Sequence, residues 1–180
     1  MYRVCSDRDS LLGMTRVLIT GMSGTGKSTV LAELARRGHR VVDTDLSAWS
    51  TSPAGAGAEQ LWRRDAMDAL LAQRVAGWLF VAACASNQGS FYDRFDAVVL
   101  LSVPRDVMLQ RIATRSTNHF GKRAHEQQRI FADLEAVEPL LRATSTVEIV
   151  TTIPVADVVD AVESIAGRAD GRSATRFNMP

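Results

Sequence analysis

A chain of 180 residues, 46% hydrophobic and 23% charged, has the size and composition of one globular domain with its own core. Its net charge of +1 gives no electrostatic footprint for nucleic acid or an anionic membrane surface, and no stretch approaches a spanning length of about 18 apolar residues. Cys5 and Cys84 show no metal-like spacing and the N-terminus is charged where a signal peptide needs an apolar run, so free thiols and a cytoplasmic protein are expected.

Residues 1–13 are polar, lack a period and read as an N-terminal extension. Val17, Leu18 and Ile19 then form the short apolar, β-branched run of a strand buried on both faces. Immediately after it, Gly21, Gly26, Lys27 and Ser28 fill the pattern G-x-x-x-x-G-K-[ST] without a mismatch, where strand gives way to helix. Glycines at 21, 24 and 26 permit backbone angles that let successive N–H groups point at a polyphosphate. The expected cradle runs from Gly21 through Ser23, Gly24, Thr25 and Gly26 to Lys27, Ser28 and Thr29. In it Lys27 reaches the β- and γ-phosphates and Ser28 places a hydroxyl on Mg²⁺, while the helix start adds its positive end. That helix carries Val30, Leu31, Leu34 and Ala35 on one face and stops at Arg36-Arg37-Gly38.

A second strand, His39 to Asp43, brings Asp43 and Asp45 to a C-terminal strand edge, where open α/β sheets bind ligands. Two carboxylates so placed suit a metal-bound water and the orientation of a nucleophile, or else one of them caps the following segment. Leu46 to Gly57 reads as a short helix and a polar loop, a candidate mobile element over an acceptor site, and Glu59 to Ala76 as one amphipathic helix. Trp78 to Cys84 and Asp96 to Val103 are a third and fourth strand, joined by the loop from Ala85 to Phe95. Pro104 opens the next helix, which carries Arg111 and Arg115 four apart on one face. A break over 116–124 precedes a helix spanning about Ala124 to Arg142. A fifth strand, Val147 to Thr151, and a last helix, Val155 to Ala166, complete the pattern, and 167–180 reads as a flexible tail. Strands alternating with helices imply a parallel sheet with right-handed crossovers. Lysine occurs only at Lys27 and Lys122 against nineteen arginines, so arginine abundance alone does not mark a phosphate surface.

With the loop at the first strand, VVDTD at the second and the later RIATR, the chain from Met14 to Ala166 resembles the small P-loop kinases of the nucleoside monophosphate and shikimate kinase type. Its ASNQG, FDAVVLLSVP and TNHFGK stretches also look like small bacterial proteins described only as AAA-family ATPases. The resemblance implies a three-layer α/β fold with a five-stranded parallel sheet in the order 2-3-1-4-5 and a short lid at about 116–124. It implies ATP and Mg²⁺, with Ser28 and Asp43 on the metal and Asp45 meeting the acceptor hydroxyl. Arg111 and Arg115 fall where such kinases place one arginine on adenine and one on phosphate, and a guanidinium suits both tasks. Lys122, Arg123 and Arg129 would add charge from the lid.

The chain also departs from that pattern. Ala83-Cys84-Ala85 carries no aspartate at the usual Walker B position, and Asn87-Gln88-Gly89 stands where shikimate kinases carry glycine-glycine-arginine. Asn87 and Gln88 serve either an acceptor or their own loop. Trp49, Trp62, Phe91 and Tyr92 line a pocket for a planar acceptor or belong to the core. The expected activity is transfer of the γ-phosphoryl group of Mg-ATP to a small acceptor, either a nucleoside monophosphate facing Arg63 and Arg64 or a hydroxylated metabolite. Lys27, Asp45, Arg111 and Arg115 would be the catalytic residues, in a monomer or homodimer. The alternative is an ATPase or nucleotide-dependent switch with a protein partner.

Overall fold

The structure is a computed structural model that describes residues 14–45, 48–51, 60–74, 76–114 and 123–177. The N-terminal extension, most of the loop over 46–57, and Arg115, Asn118, His119 and Lys122 of the lid region lie outside the described residues. In chain order the elements are β1 (Thr15–Thr20), α1 (Lys27–Arg36), β2 (Arg40–Asp43), β3 (Ser50–Thr51), β4 (Leu61–Trp62), α2 (Arg64–Leu71), β5 (Trp78–Ala83), a 3-10 helix (Gln88–Arg94), β6 (Ala97–Ser102), α3 (Arg105–Thr114), α4 (Ala124–Thr144), β7 (Val147–Val150) and α5 (Val155–Phe177).

Five of the strands form one parallel sheet in the order β2-β5-β1-β6-β7, the expected 2-3-1-4-5 when only its own strands are counted. The runs Val17–Ile19 of β1, Trp78–Ala83 of β5 and Ala97–Leu101 of β6 are apolar because both of their faces are covered. The alternation along them sorts the core into layers. Val17, Ile19, Phe80, Ala82, Val99 and Leu101 face α1 and α5, meeting Val30, Leu34, Val158 and Val162. Leu18, Leu79, Val81 and Val98 face the other way, onto Met67, Leu70 and Leu71 of α2 together with Trp62 and Phe91. A third group, Leu100, Met108, Ile112, Ile130 and Leu141, seats α3 and α4. Every crossover leaves the C-terminal ends of β1, β2 and β5 on one edge, and the phosphate-loop motif sits there.

Two elements differ from the expected ones. The apolar period from Glu59 to Ala76 predicts a single helix, but Leu61–Trp62 is extended and pairs antiparallel with Ser50–Thr51, and α2 covers only Arg64–Leu71. Tertiary partners hold that backbone open. The Trp62 N–H donates to Asn87 Oδ1 at 2.8 Å, the Trp62 carbonyl accepts from Asn87 Nδ2 at 3.0 Å, and the Arg63 N–H donates to the Trp49 carbonyl at 2.8 Å.

The last helix runs past Ala166 to Phe177. The polar stretch from 167 reads as a tail in sequence, but a Cβ at Gly167 would stand 3.6 Å from the Trp78 ring, an ordinary packing distance, so the helix continues over the sheet at this point. Beyond it Ala169 is buried and Asp170 Oδ1 accepts a hydrogen bond from the Thr15 hydroxyl at 3.1 Å. Ala169→Asp should therefore destabilise the protein by at least about 2 kcal/mol in urea unfolding, because it buries an unpaired charge, whereas Ser164→Asp on the exposed face of the same helix should stay within about 0.5 kcal/mol.

Candidate functional site

At the end of β1 the chain has to cross the edge of the sheet. Thr20 is paired with Leu100, so Gly21 passes directly over the next carbonyl of β6. A Cβ on Gly21 would stand 2.2 Å from the Leu101 oxygen, and its φ is +146°. Gly24, at φ +86°, lies against Met108 and Ile112 of α3, which a Cβ would meet at 3.2 and 3.1 Å. The loop is closed upon itself: the Lys27 ammonium donates to the carbonyls of Gly21 (2.6 Å) and Met22 (3.2 Å), and the Thr25 hydroxyl donates to Met22 (2.8 Å). Gly26 forms the N-cap of α1 in the left-handed conformation, no side chain bonds to the first turn, and that turn has no acidic residue. The first N–H groups of a ten-residue helix thus present their partial positive charge to whatever lies above them.

What lies above is a cleft of about 500 Å³. The stretch Ser23 to Val30 makes its floor, so Ser23, Gly24, Thr25, Gly26, Lys27, Ser28 and Thr29 all line it. Asp45 and Arg111, assigned from the sequence, are brought to the same cleft, as are Thr114, Thr151, Ile153, Val155 and Val158. Gly21 stays beneath as the buried hinge. Asp43 is not on the cleft wall: its Oδ1 accepts the Asp45 N–H at 3.1 Å and so shapes the turn that presents Asp45.

Asp45 exposes surface to the cleft, yet enough protein surrounds the carboxyl to raise its pKa above the ordinary value, with Asp43 adding to the effect while Lys27 and a hydrogen bond with Gln60 oppose it. Thr44 fixes the backbone just before it. Its N–H and hydroxyl donate to the Ala82 carbonyl at 3.1 and 2.8 Å, and its hydroxyl accepts the indole N–H of Trp62 at 2.8 Å. Cys84 follows β5 where a Walker B acid would stand. Burial raises its thiol, and Lys27 pulls the other way. Among the described residues no group of three His, Cys, Asp or Glu side chains is placed to hold a metal ion. A magnesium ion that arrives with a nucleotide needs only one or two protein ligands beside phosphates and water. The Ser28 hydroxyl at the helix start, with the carboxylates beyond β2, fits that requirement.

Arg111 crosses from α3 to the loop after β7. Its Nη1 donates to the Thr151 hydroxyl at 2.9 Å and its Nη2 to the Thr151 carbonyl at 2.5 Å. Gln88 is saturated by its own surroundings: Nε2 donates to Thr20 Oγ1 (3.0 Å) and Tyr92 OH (2.8 Å), and Oε1 accepts the Ala85 N–H (3.2 Å). Asn87 is spent on β4, so both residues serve the loop's own architecture. Trp62 and Phe91 are core side chains in edge-to-face contact at 5.4 Å. Arg63 pairs with Asp65, Arg64 lies 5.5 Å over the Phe91 ring, and neither lines the cleft. Arg129 reaches Asp133 on its own helix at 3.8 Å, and the Arg123 N–H is capped by Glu126. Gln60 at the carboxylate has no signal in sequence, since the β3–β4 pairing brings it there.

A glycine loop folded over a parallel-sheet edge onto an uncapped helix, with a lysine threaded through it, defines the P-loop class of nucleotide-binding fold. Within that class the chain belongs to the AAA domain family, whose model matches residues 17–132. No curated protein matches it. Its fold is similar to shikimate kinase from Acinetobacter baumannii in complex with shikimate, at TM-score 0.60 and 20% identity over 84% of this chain and 92% of that one. It is also similar to a sugar kinase from Janibacter sp. HTCC2649 (0.57, 19%, 88% and 97%) and to a gluconokinase from Sinorhizobium meliloti 1021 (0.55, 19%, 91% and 95%).

The crossing at Gly21 makes a direct test of this geometry. Gly21→Ala should cost at least about 2 kcal/mol of folding stability, since backbone has to move, while Gly38→Ala, also at positive φ but with open space around it, should cost about 1 kcal/mol from conformational strain alone. Urea unfolding of the two variants checks the difference.

Proposed function

We propose that the protein is an ATP-dependent phosphotransferase that moves the γ-phosphoryl group of Mg-ATP to the hydroxyl of a small metabolite. One observation carries the reading: Lys27, the uncapped start of α1, Asp45 and Arg111 all face a single cleft. Phosphoryl transfer asks the protein for positioning and charge stabilisation, and this set offers both. The loop amides and helix end hold the phosphates, and Lys27 exchanges its loop carbonyls for phosphate oxygens. Ser28 on the cleft floor, with Asp43 from the turn behind Asp45, would hold the magnesium ion, which would supply neutralisation of phosphate charge. Asp45 orients the acceptor hydroxyl and takes its proton as the new O–P bond forms and the bond to the β-phosphate oxygen breaks, releasing ADP. Arg111 bounds the nucleotide on the side of α3. Arg115 and Lys122 complete the proposed charge from the lid.

A hydroxylated acceptor is favoured over a nucleoside monophosphate. A phosphate-bearing acceptor calls for arginines facing its site, but Arg63 and Arg64 are engaged elsewhere. Shikimate, gluconate and sugars, named for the similar structures, are hydroxylated compounds of the proposed kind. The deciding measurement is ATP consumption with Mg²⁺ against a panel of such metabolites and of nucleoside monophosphates, with the phosphorylated product identified by mass. Stimulation by one hydroxylated compound is the expected result. Steady hydrolysis indifferent to every acceptor would instead make the protein an ATPase or a switch.

Lys27→Ala should lower kcat at least about 100-fold in a folded protein. Asp45→Asn should lower kcat by about 10² to 10⁴ while ATP affinity stays within about threefold, as expected for a group that meets the acceptor. The same variant should melt no lower than the parent at neutral pH. The folded Asp45 holds its proton more tightly than the ordinary value of 3.8, so its contribution to stability is present below that pH and lost as pH rises through the folded pKa. Removing the charge at pH 7 removes that penalty, and calorimetry of the two proteins checks the sign.

A further inference from the structure

We infer that the Thr151 side chain is a positioning residue for nucleotide binding, joining Arg111 and the phosphate loop into one rigid unit. The inference rests on the reading of the cleft as a nucleotide site and adds to it a side chain outside both the loop motif and the arginine pair. Thr151 follows β7, is 5% exposed, and is bonded through every polar atom it has. Its N–H donates to the Ser102 carbonyl at 2.9 Å, and its own carbonyl accepts Arg111 Nη2. Its hydroxyl accepts Arg111 Nη1 at 2.9 Å and therefore has one proton to give. Two carbonyls lie within reach, Thr25 at 2.9 Å and Ser102 at 3.2 Å. Ser102 is already served by the Thr151 N–H, so the hydroxyl proton goes to Thr25.

Thr25 is fully buried in the middle of the phosphate loop, between the two glycines whose amides form the cradle. A Cβ on the neighbouring Gly24 would meet Met108 and Ile112 of α3 at 3.2 and 3.1 Å. Helix α3 thus bears on the loop at two places, at Gly24, where its apolar side chains leave little room for a Cβ, and by the hydrogen-bonded path Arg111 to Thr151 to Thr25. A guanidinium held at two points by one residue has its plane fixed, and the same residue fixes the height of the loop carbonyl beside it. Loop and arginine are presented to a ligand already in register, and the ordering cost of each is met before binding.

The test is a double-mutant cycle in Mg-ATP affinity, measured by calorimetry on the full chain with Thr151→Val, Arg111→Met and both together. Each single variant should bind about tenfold more weakly, and the double variant also about tenfold, because the two residues act through one connection. Thr151→Ser, which keeps the hydroxyl, should bind within about twofold of the parent. A residue that only supports the fold would lower the melting temperature without this non-additivity. An additive loss of about a hundredfold, or a folded Thr151→Val with parental affinity, overturns the inference. Should Thr151→Val not fold, Arg111→Lys decides: it keeps the charge but loses the two-point grip, so it should weaken binding as much as Arg111→Met, and parental affinity overturns the inference. Failure of the underlying reading shows elsewhere, as a parent protein that binds no nucleoside triphosphate.

Discussion

The cleft depends on the crossing of Gly21 over the Leu101 carbonyl. Parallel pairing brings β1 and β6 to the same edge in register, and the chain leaving Thr20 passes across a neighbouring peptide group. With no side chain at 21 the loop stays low against the sheet, so α1 starts directly above the edge and Leu34 reaches the buried layer beneath. The Lys27 ammonium then bonds back to the Gly21 carbonyl, making a single ring of turn, lysine and helix start. Lifting the loop to admit a methyl group would move the helix end and the lysine with it. Packing of the core and placement of positive charge are the same requirement here.

The distribution of negative charge follows a different plan from the usual one for this class. The central position after β5 carries Cys84, whose thiol is pushed toward the neutral form by burial, so the position after that strand supplies no carboxylate to face Lys27. The carboxylates stand instead beyond β2, at the sheet's edge, with Asp43 turning the backbone and Asp45 projecting from the turn. An acid at the edge strand can face the acceptor side of a transferring phosphoryl group while Lys27 faces the donor side.

Local pattern carried the sequence reading a long way. The buried strands, the loop motif and α1 are read from periods of two and 3.6 and from glycine placement, all encoded within a few residues of where they act. Asp45 and Arg111 were legible because strand ends and helix faces are predictable once strands and helices are known. The failures share one cause: partners distant in sequence. Leu61–Trp62 has a helical period but is held extended by Asn87, 25 residues away, and the stretch after Ala166 reads as a tail until Ala169 is placed in the core and Asp170 beside Thr15. Gln88 looks like a ligand-binding amide until Thr20, Ala85 and Tyr92 are seen to satisfy it. Thr151 gave no signal beyond its position after the last strand, since its hydroxyl matters only because β7 sets it beside Thr25.

The bond from the Trp62 indole to Thr44 has an optical consequence. The indole is 3% exposed, packed against Phe91, and its only polar atom is committed to the residue immediately before Asp45. Emission from a buried indole is set by its hydrogen bond and the polarity around it, so this fluorophore is wired to the turn that carries the candidate acceptor carboxylate. Displacement of that turn would change the bond and with it the wavelength of the light emitted. Of the three tryptophans, Trp62 therefore couples emission to the Thr44–Asp45 turn, at a point separate from the phosphate loop.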